Sequence, residues 1–181
     1  MYRIRELNQI DRKLFHTNDL AVLWGIANRH NLYMAVTRYI DNQVLFPVYK
    51  GLYSTVPLSE LNPLELGRSI IHRFTYLTTE TVLSQAGMIS QTVYDYTFVA
   101  DLSRRVVVGQ WSFRYRQLKE EFLHHPAGIQ YQDNILIATP ERAVADMLYF
   151  NPGYHFDVLT HIDLEKVKSI QQEVGYPHAR P

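Results

Sequence analysis

The chain has 181 residues, 46% of them hydrophobic and 20% charged, which is room for one large or two small domains with a true apolar core. The absence of cysteine excludes a disulfide framework and any thiolate metal site. No apolar run reaches membrane-spanning length, and the polar stretch Met1 to Leu7 does not read as a signal peptide, so a cytoplasmic protein with no membrane association is expected. The 18 basic and 18 acidic residues cancel, which excludes a chain coated in positive charge; locally, however, residues 1–55 carry seven bases (Arg3, Arg5, Arg12, Lys13, Arg29, Arg38, Lys50) against four acids (Glu6, Asp11, Asp19, Asp41), a surplus of +3.

Leu7, Ile10 and Leu14 are spaced i, i+3, i+7, which predicts a short amphipathic first helix. Thr17 or Asn18 then caps a second helix, with Asp19 at the positive end of its dipole and Leu20, Leu23, Trp24 and Ala27 on its buried face. Asn28 to Asn31 is a polar break. A third helix buries Leu32, Ala35, Val36, Tyr39 and Ile40, exposes Tyr33, Met34, Thr37, Arg38 and Asp41, and ends near Asn42. Val44 to Val48 and Leu52 to Thr55 flank Tyr49-Lys50-Gly51 and predict a β-hairpin, with Pro47 suited to an edge strand. Helix, helix, short turn, helix and hairpin is the order of a winged helix-turn-helix, in which the second helix of the pair enters the major groove of duplex DNA. The residues expected at the DNA are Asn31 in the turn, Tyr33, Thr37 and Arg38 on the exposed helix face, and Lys50 at the hairpin tip as a phosphate contact.

Residues 56–181 are expected to form a separate small α+β domain with a mainly antiparallel sheet, after a proline-bracketed linker from Pro57 to Pro63. Asn62-Pro63 starts a helix with Leu66, Ile70, Ile71 and Phe74 inward, and Thr78 or Thr79 starts a shorter one with Val82, Leu83 and Ala86 inside and Gly87 past its end. Tyr94, Tyr96 and Phe98 alternate with Asp95 and Thr97 as in a half-buried strand. Val106–Val108 and Trp111–Tyr115 flank a turn at Gly109-Gln110, and two more strands surround Asp133-Asn134. Thr139-Pro140-Glu141 opens a helix with Val144, Met147 and Leu148 inward. A last helix runs from about Asp163 to Val174 with Leu164, Val167, Ile170 and Val174 inward, and the tail beyond it is expected to fray.

Three segments resemble the AbiEi-type antitoxins of abortive-infection type IV toxin–antitoxin systems: the hairpin Phe46-Pro47-Val48-Tyr49-Lys50-Gly51-Leu52-Tyr53, the stretch from Tyr76 to Ile89, and the stretch from Ile137 to Leu148 with its Thr139-Pro140-Glu141-Arg142-Ala143 core. Each is largely capping and core chemistry; their order over about residues 5–150 carries the likeness. The resemblance implies a winged domain that binds and represses the promoter of its own operon. It also implies a second domain that counteracts a nucleotidyltransferase-type toxin without a stable complex. It implies neither an enzyme nor a cofactor.

Other constellations point elsewhere or nowhere. Arg104, Arg105, Arg114, Arg116 and Lys119 fall in a stretch with no acid between Asp101 and Glu120, which reads either as a second positive surface for DNA or an acidic partner or as a solvated strand face. His124, His125, His155 and His161 lack ligand spacing, so no metal is expected. Helix-start and helix-surface roles account for Glu141, Arg142 and Asp146 without catalysis, and Trp24 and Trp111 read as core. Three functions remain: the antitoxin and autorepressor, a transcription regulator without a toxin whose second domain senses a small molecule, and, last, a nuclease or transferase with a DNA-targeting head.

Overall fold

The computed structural model describes Leu7 and residues 10–177, and the chain divides into two units, Met1–His72 and Arg73–Pro181. The first unit runs β1 (Leu14–His16), α1 (Thr17–Leu23), α2 (Arg29–Asp41), β2 (Phe46–Tyr49), β3 (Leu52–Ser54), a 3-10 turn at Leu58–Glu60 and α3 (Pro63–Ile70). The segment 56–72, with its proline-bracketed turn and α3, therefore lies in the first unit.

Of the helix predicted from Leu7, Ile10 and Leu14, residues 8 and 9 lie outside the described residues; Leu7 is helical and buried, but Ile10 lies in a bend and is exposed, and Leu14 itself belongs to a strand. β1 runs antiparallel to β3, with Leu14 opposite Ser54 and His16 opposite Leu52, so the hairpin becomes a three-stranded sheet of order β1-β3-β2. Pairing wins over the local i, i+3, i+7 spacing because a bare two-stranded hairpin is marginal in water and gains from a third strand. Pro47 sits exposed on the edge strand β2, where its missing N–H costs no interior ladder bond.

α1 starts one residue earlier than its capping residues predict. Asp19 accepts the His16 backbone N–H at 2.9 Å, so His16 is the cap rather than Thr17 or Asn18. The helix stops at Leu23 because Gly25 turns into the left-handed region at φ 62°, a conformation that ends helices and that a Cβ opposes. Ala27 consequently leaves the helical period and lies exposed instead of on the buried face. α2 begins after Asn28, whose side chain accepts the Asn31 N–H at 3.0 Å; the break between the helices is Gly25–Asn28, and Asn31 is helical. Leu7, Phe15, Leu20, Trp24, Leu32, Ala35, Val36, Tyr39 and Leu45 close one core, with the Trp24 and Tyr39 rings 5.0 Å apart. In α3, Asn62 accepts the Leu64 N–H at 2.8 Å and Pro63 takes the first position, with Leu66 and Ile70 inward; the helix ends before Ile71, so the exposed Phe74 does not extend its face.

The second unit runs β4 (Tyr76–Leu77), α4 (Glu80–Gln85), β5 (Asp95–Ala100), β6 (Arg104–Val108), β7 (Trp111–Gln117), α5 (Glu120–Leu123), β8 (Ile129–Gln132), β9 (Ile135–Ala138), α6 (Pro140–Phe150) and α7 (Leu164–Val174). Its six strands form one sheet of order β6-β7-β5-β4-β9-β8, in which β4–β9 and β5–β7 are parallel and the other pairs antiparallel. Among the described residues the protein is thus mixed α+β, with seven α-helices and two mostly antiparallel sheets, and no helix is long and apolar enough to cross a membrane. β5 departs from the half-buried pattern. Tyr94 precedes the strand and is exposed, while Thr97 to Ala100 are all buried, because β5 is interior to the sheet and α4 packs on it through Thr81, which accepts the Thr97 N–H at 2.7 Å. At the helix ends Ala86 and Leu164 are exposed, not inward.

The largest correction concerns α6. Arg142 and Asp146 lie one turn apart with side chains that are 0% exposed, against the surface roles their charge suggests. Arg142 donates from Nε to Asp146 at 2.8 Å, from Nη1 to the carbonyls of Ala127 at 2.7 Å and His125 at 3.2 Å, and from Nη2 to the Tyr76 hydroxyl and Phe122 carbonyl at 2.8 and 3.2 Å. Asp146 accepts from Thr78 and Tyr176 at 2.7 Å each and from Tyr76 at 3.1 Å. The Tyr176 contact fixes a residue of the tail that sequence reading expects to fray. Burial opposes the charge on Arg142, but Asp146 beside it and the two phenols hold its pKa above the ordinary arginine value. Burial likewise drives the Tyr76 and Tyr176 phenols up, Asp146 adding in the same direction, so both remain donors. At Gly128, φ 70°, a Cβ would lie 2.6 Å from the Arg142 Cβ, so the chain passes the arginine only as glycine.

Removing one partner of such a pair strands a buried charge, which costs about 3–5 kcal/mol, whereas an apolar pair of similar volume is far less costly. Urea unfolding should therefore show Asp146→Ala losing about 3–5 kcal/mol and the double variant Arg142→Met/Asp146→Leu losing much less. A single-variant loss below about 1 kcal/mol would mean that the network does not hold the unit together.

Candidate nucleic-acid interface

α2 separates its residues cleanly. Leu32, Ala35, Val36 and Tyr39 are buried, while Asn31, Tyr33, Met34, Thr37 and Arg38 are all exposed, Tyr33 by 50% and Met34 by 61%. Asn31, Met34 and Arg38 stand on one line of the helix and, with the Gly25–Asn28 connection, border an open groove of about 590 Å³. Tyr33 and Thr37, one turn apart, form the neighbouring line. Arg38 and Lys50 enter no ion pair among the described residues, so both are available to an anionic partner.

Lys50 is exposed in the turn between β2 and β3. The next residue, Gly51, accepts the Thr17 backbone N–H at 2.9 Å and the Thr17 hydroxyl at 3.2 Å, so the hairpin tip is fastened to the start of α1. The hairpin is short and held at its tip. Four of the five predicted α2 and hairpin positions thus sit on α2, and the fifth is placed by α1.

The Arg104-to-Lys119 cluster is divided by its partners. Arg105 lies directly opposite Arg114 across β6–β7, and Arg114 and Arg116 alternate on the same face, whereas Arg104 is opposite Tyr115 and so projects from the other face. Asp95 pairs with Arg105 at 2.8 Å, Glu80 with Arg116 at 3.1 Å and Arg114 at 3.9 Å, and Glu121 with Lys119 at 3.7 Å. Arg116 also lies over the Phe150 ring at 4.1 Å. Acids distant in sequence therefore neutralise much of a stretch that contains none. Sequence reading missed them because sheet and helix packing, not chain proximity, brings Glu80 and Asp95 there.

The chain matches no family model, and no curated protein matches it. Its histidines have local roles. The His124 ring packs on Phe74 at 4.6 Å, His125 Nδ1 accepts the Ala127 N–H at 3.3 Å, and among the described residues no group of three His, Cys, Asp or Glu side chains is placed to hold a metal. Trp111, expected in a core, is only half-buried and borders a groove with Tyr94 and Tyr96.

One histidine pair was invisible in the sequence. His16, the cap of α1, donates from Nε2 to the Ser69 carbonyl at 2.7 Å and stacks on His72 with centroids 4.5 Å and planes 11° apart. Burial, with His72 and Arg12 adding to it against the Ser69 carbonyl and Asp19, lowers the His16 pKa below 6.5. The folded state thus binds this proton more weakly than the unfolded chain. Its contribution to stability is complete above pH 6.5 and is lost as pH falls through the lowered folded value. Melting temperatures measured across this range should fall more steeply in the native chain than in His16→Gln; identical slopes would remove His16 as the cause.

Proposed function

We propose that this protein is a DNA-binding antitoxin of the AbiEi type that represses its own operon and counteracts a nucleotidyltransferase-type toxin. The DNA-binding part of the reading rests on the first unit. A helix pair followed by a hairpin, with a strand ahead of the pair completing a β1-β3-β2 sheet, is the element order of a winged helix-turn-helix. The observation that carries it is the exposed strip of α2, where Asn31, Tyr33, Thr37 and Arg38 stand together, Arg38 forming no ion pair among the described residues and lying 5.6 Å from the Tyr39 ring centroid. Such residue types on the outward face of the second helix of the pair suit base edges in the major groove, Arg for guanine and Asn for adenine, with Lys50 on the phosphate backbone. The antitoxin part rests on the ordered resemblance over residues 5–150.

The two parts have separate tests. On DNA from upstream of its own gene, Arg38→Ala should weaken specific binding by about 1–3 kcal/mol while affecting random DNA little, because a base-reading contact is lost. Equal weakening on both would reduce Arg38 to a phosphate contact, and no weakening would exclude this face of α2. Lys50→Ala should weaken binding to both DNAs and lower the slope of log K against log salt by about one. Co-expressed with a toxin encoded beside it, Arg38→Ala should rescue growth as well as the native chain does; failure of the native chain to rescue would leave a DNA-binding regulator without the antitoxin role.

A further inference from the structure

The outward face of α2 holds an apolar side chain between two polar ones. Met34 is 61% exposed, whereas the other described methionines, Met88 and Met147, are 3% and 1% exposed. Those two fill cores, the ordinary use of a flexible thioether, and Met34 stands in water. It lies one turn after Asn31 and one turn before Arg38, and all three border the groove of about 590 Å³ beside the Gly25–Asn28 connection. Ile26 and Ala27 border the same groove. Read along the helix, its rim therefore presents an amide, a thioether with apolar neighbours, and a guanidinium.

At about 1.5 Å per residue, Met34 lies about 4.5 Å beyond Asn31 along the axis and Arg38 about 10.5 Å beyond it, a span of roughly four base pairs at about 3.4 Å each. The amide and the guanidinium suit the hydrogen-bonding edges of adenine and guanine in the major groove. A thioether is only a weak acceptor and has no donor, so it gains little from those edges. The one apolar group on an unmodified base pair in the major groove is the C5 methyl of thymine. We propose that Met34 packs on a thymine methyl, so that the duplex this protein selects carries a T·A pair between the pairs met by Asn31 and Arg38. The inference rests on the reading of α2 as the helix in the major groove. It adds to that reading a base selected by apolar contact and not by hydrogen bonding.

The test is titration of the full chain with duplex DNA from upstream of its own gene, and with the same duplex carrying deoxyuridine in place of single thymidines. That replacement keeps the base pair and removes only the methyl. At one thymidine the native chain should bind about fourfold more weakly without the methyl, the contribution of one buried methyl group. Met34→Ala, melting as the native chain does at so exposed a position, should bind both duplexes alike. Met34→Gln, similar in length but polar, should lose the preference as well, which separates apolar contact from mere reach. The sensitive thymidine should lie within about three base pairs of the guanine whose replacement weakens the native chain but not Arg38→Ala. Sensitivity at no thymidine, or a sensitivity that persists in Met34→Ala, would overturn the methyl contact and leave duplex binding standing. Failure of the native chain to bind any upstream duplex would overturn the reading of α2, and this inference with it.

Discussion

A guanidinium buried without water must find acceptors for its N–H groups and a countercharge, and in the second unit Arg142 finds both. Its acceptors come from the carbonyls of Phe122, His125 and Ala127, the hydroxyls of Tyr76 and Tyr176, and the carboxylate of Asp146. These groups belong to the end of α5, the segment leading into β8, the strand β4, the helix α6 and the residues after α7. One side chain therefore dictates where five parts of the chain can lie. The demand also explains the glycine at position 128, since the backbone that delivers the Ala127 carbonyl passes too close to Arg142 to carry a side chain. Apolar packing would supply comparable stability; what the polar network adds is a single permitted arrangement, because any other leaves a charge unsatisfied.

The first unit is organised on the opposite principle. One continuous apolar cluster from Leu7 to Leu45 forms its core, and the polar residues of α2 face outward. Keeping the inner face of α2 wholly apolar leaves the outer face without a structural duty. Among the described residues Arg38 on that face and Lys50 in the hairpin turn form no ion pair, while the arginines of β6 and β7 are largely answered by Glu80, Asp95 and their neighbours. A count of basic residues ranks the second cluster above the first. Pairing reverses that order in unanswered charge: among the described residues Arg105, Arg114, Arg116 and Lys119 each have an acid partner, and of the five only Arg104 forms no ion pair.

Much of this was legible in the chain. The 3.6-residue spacing of Leu32, Ala35, Val36 and Tyr39, the Thr139-Pro140 and Asn62-Pro63 helix starts, the Asp133-Asn134 turn and the edge proline Pro47 are local signals, each generated by the chemistry of a few adjacent residues, and each corresponds to an observed element. The exposed strip of α2 follows from the same spacing, so the predicted contact residues are as exposed as the pattern requires. Local signals also misled where a distant partner decided. Leu14 joined β3, Ala27 fell outside a helix ended by Gly25, and β5 took an interior place between β4 and β7 with α4 packed on it.

The buried pair on α6 had a signal that the capping pattern obscured. From Ala143 to Leu148 every residue except Asp146 is apolar, and a helix apolar on all sides has no surface on which to place Arg142 and Asp146. Sequence by itself determined which segments are helices and hairpins and which face of α2 is polar, because capping, turn chemistry and periodicity act over a few residues. Only the tertiary structure decided the third strand of the first sheet, the order of the second, the stacking of His16 on His72, and which arginines are answered by acids. Those depend on residues tens of positions apart being brought within hydrogen-bonding distance, and no local pattern encodes that distance.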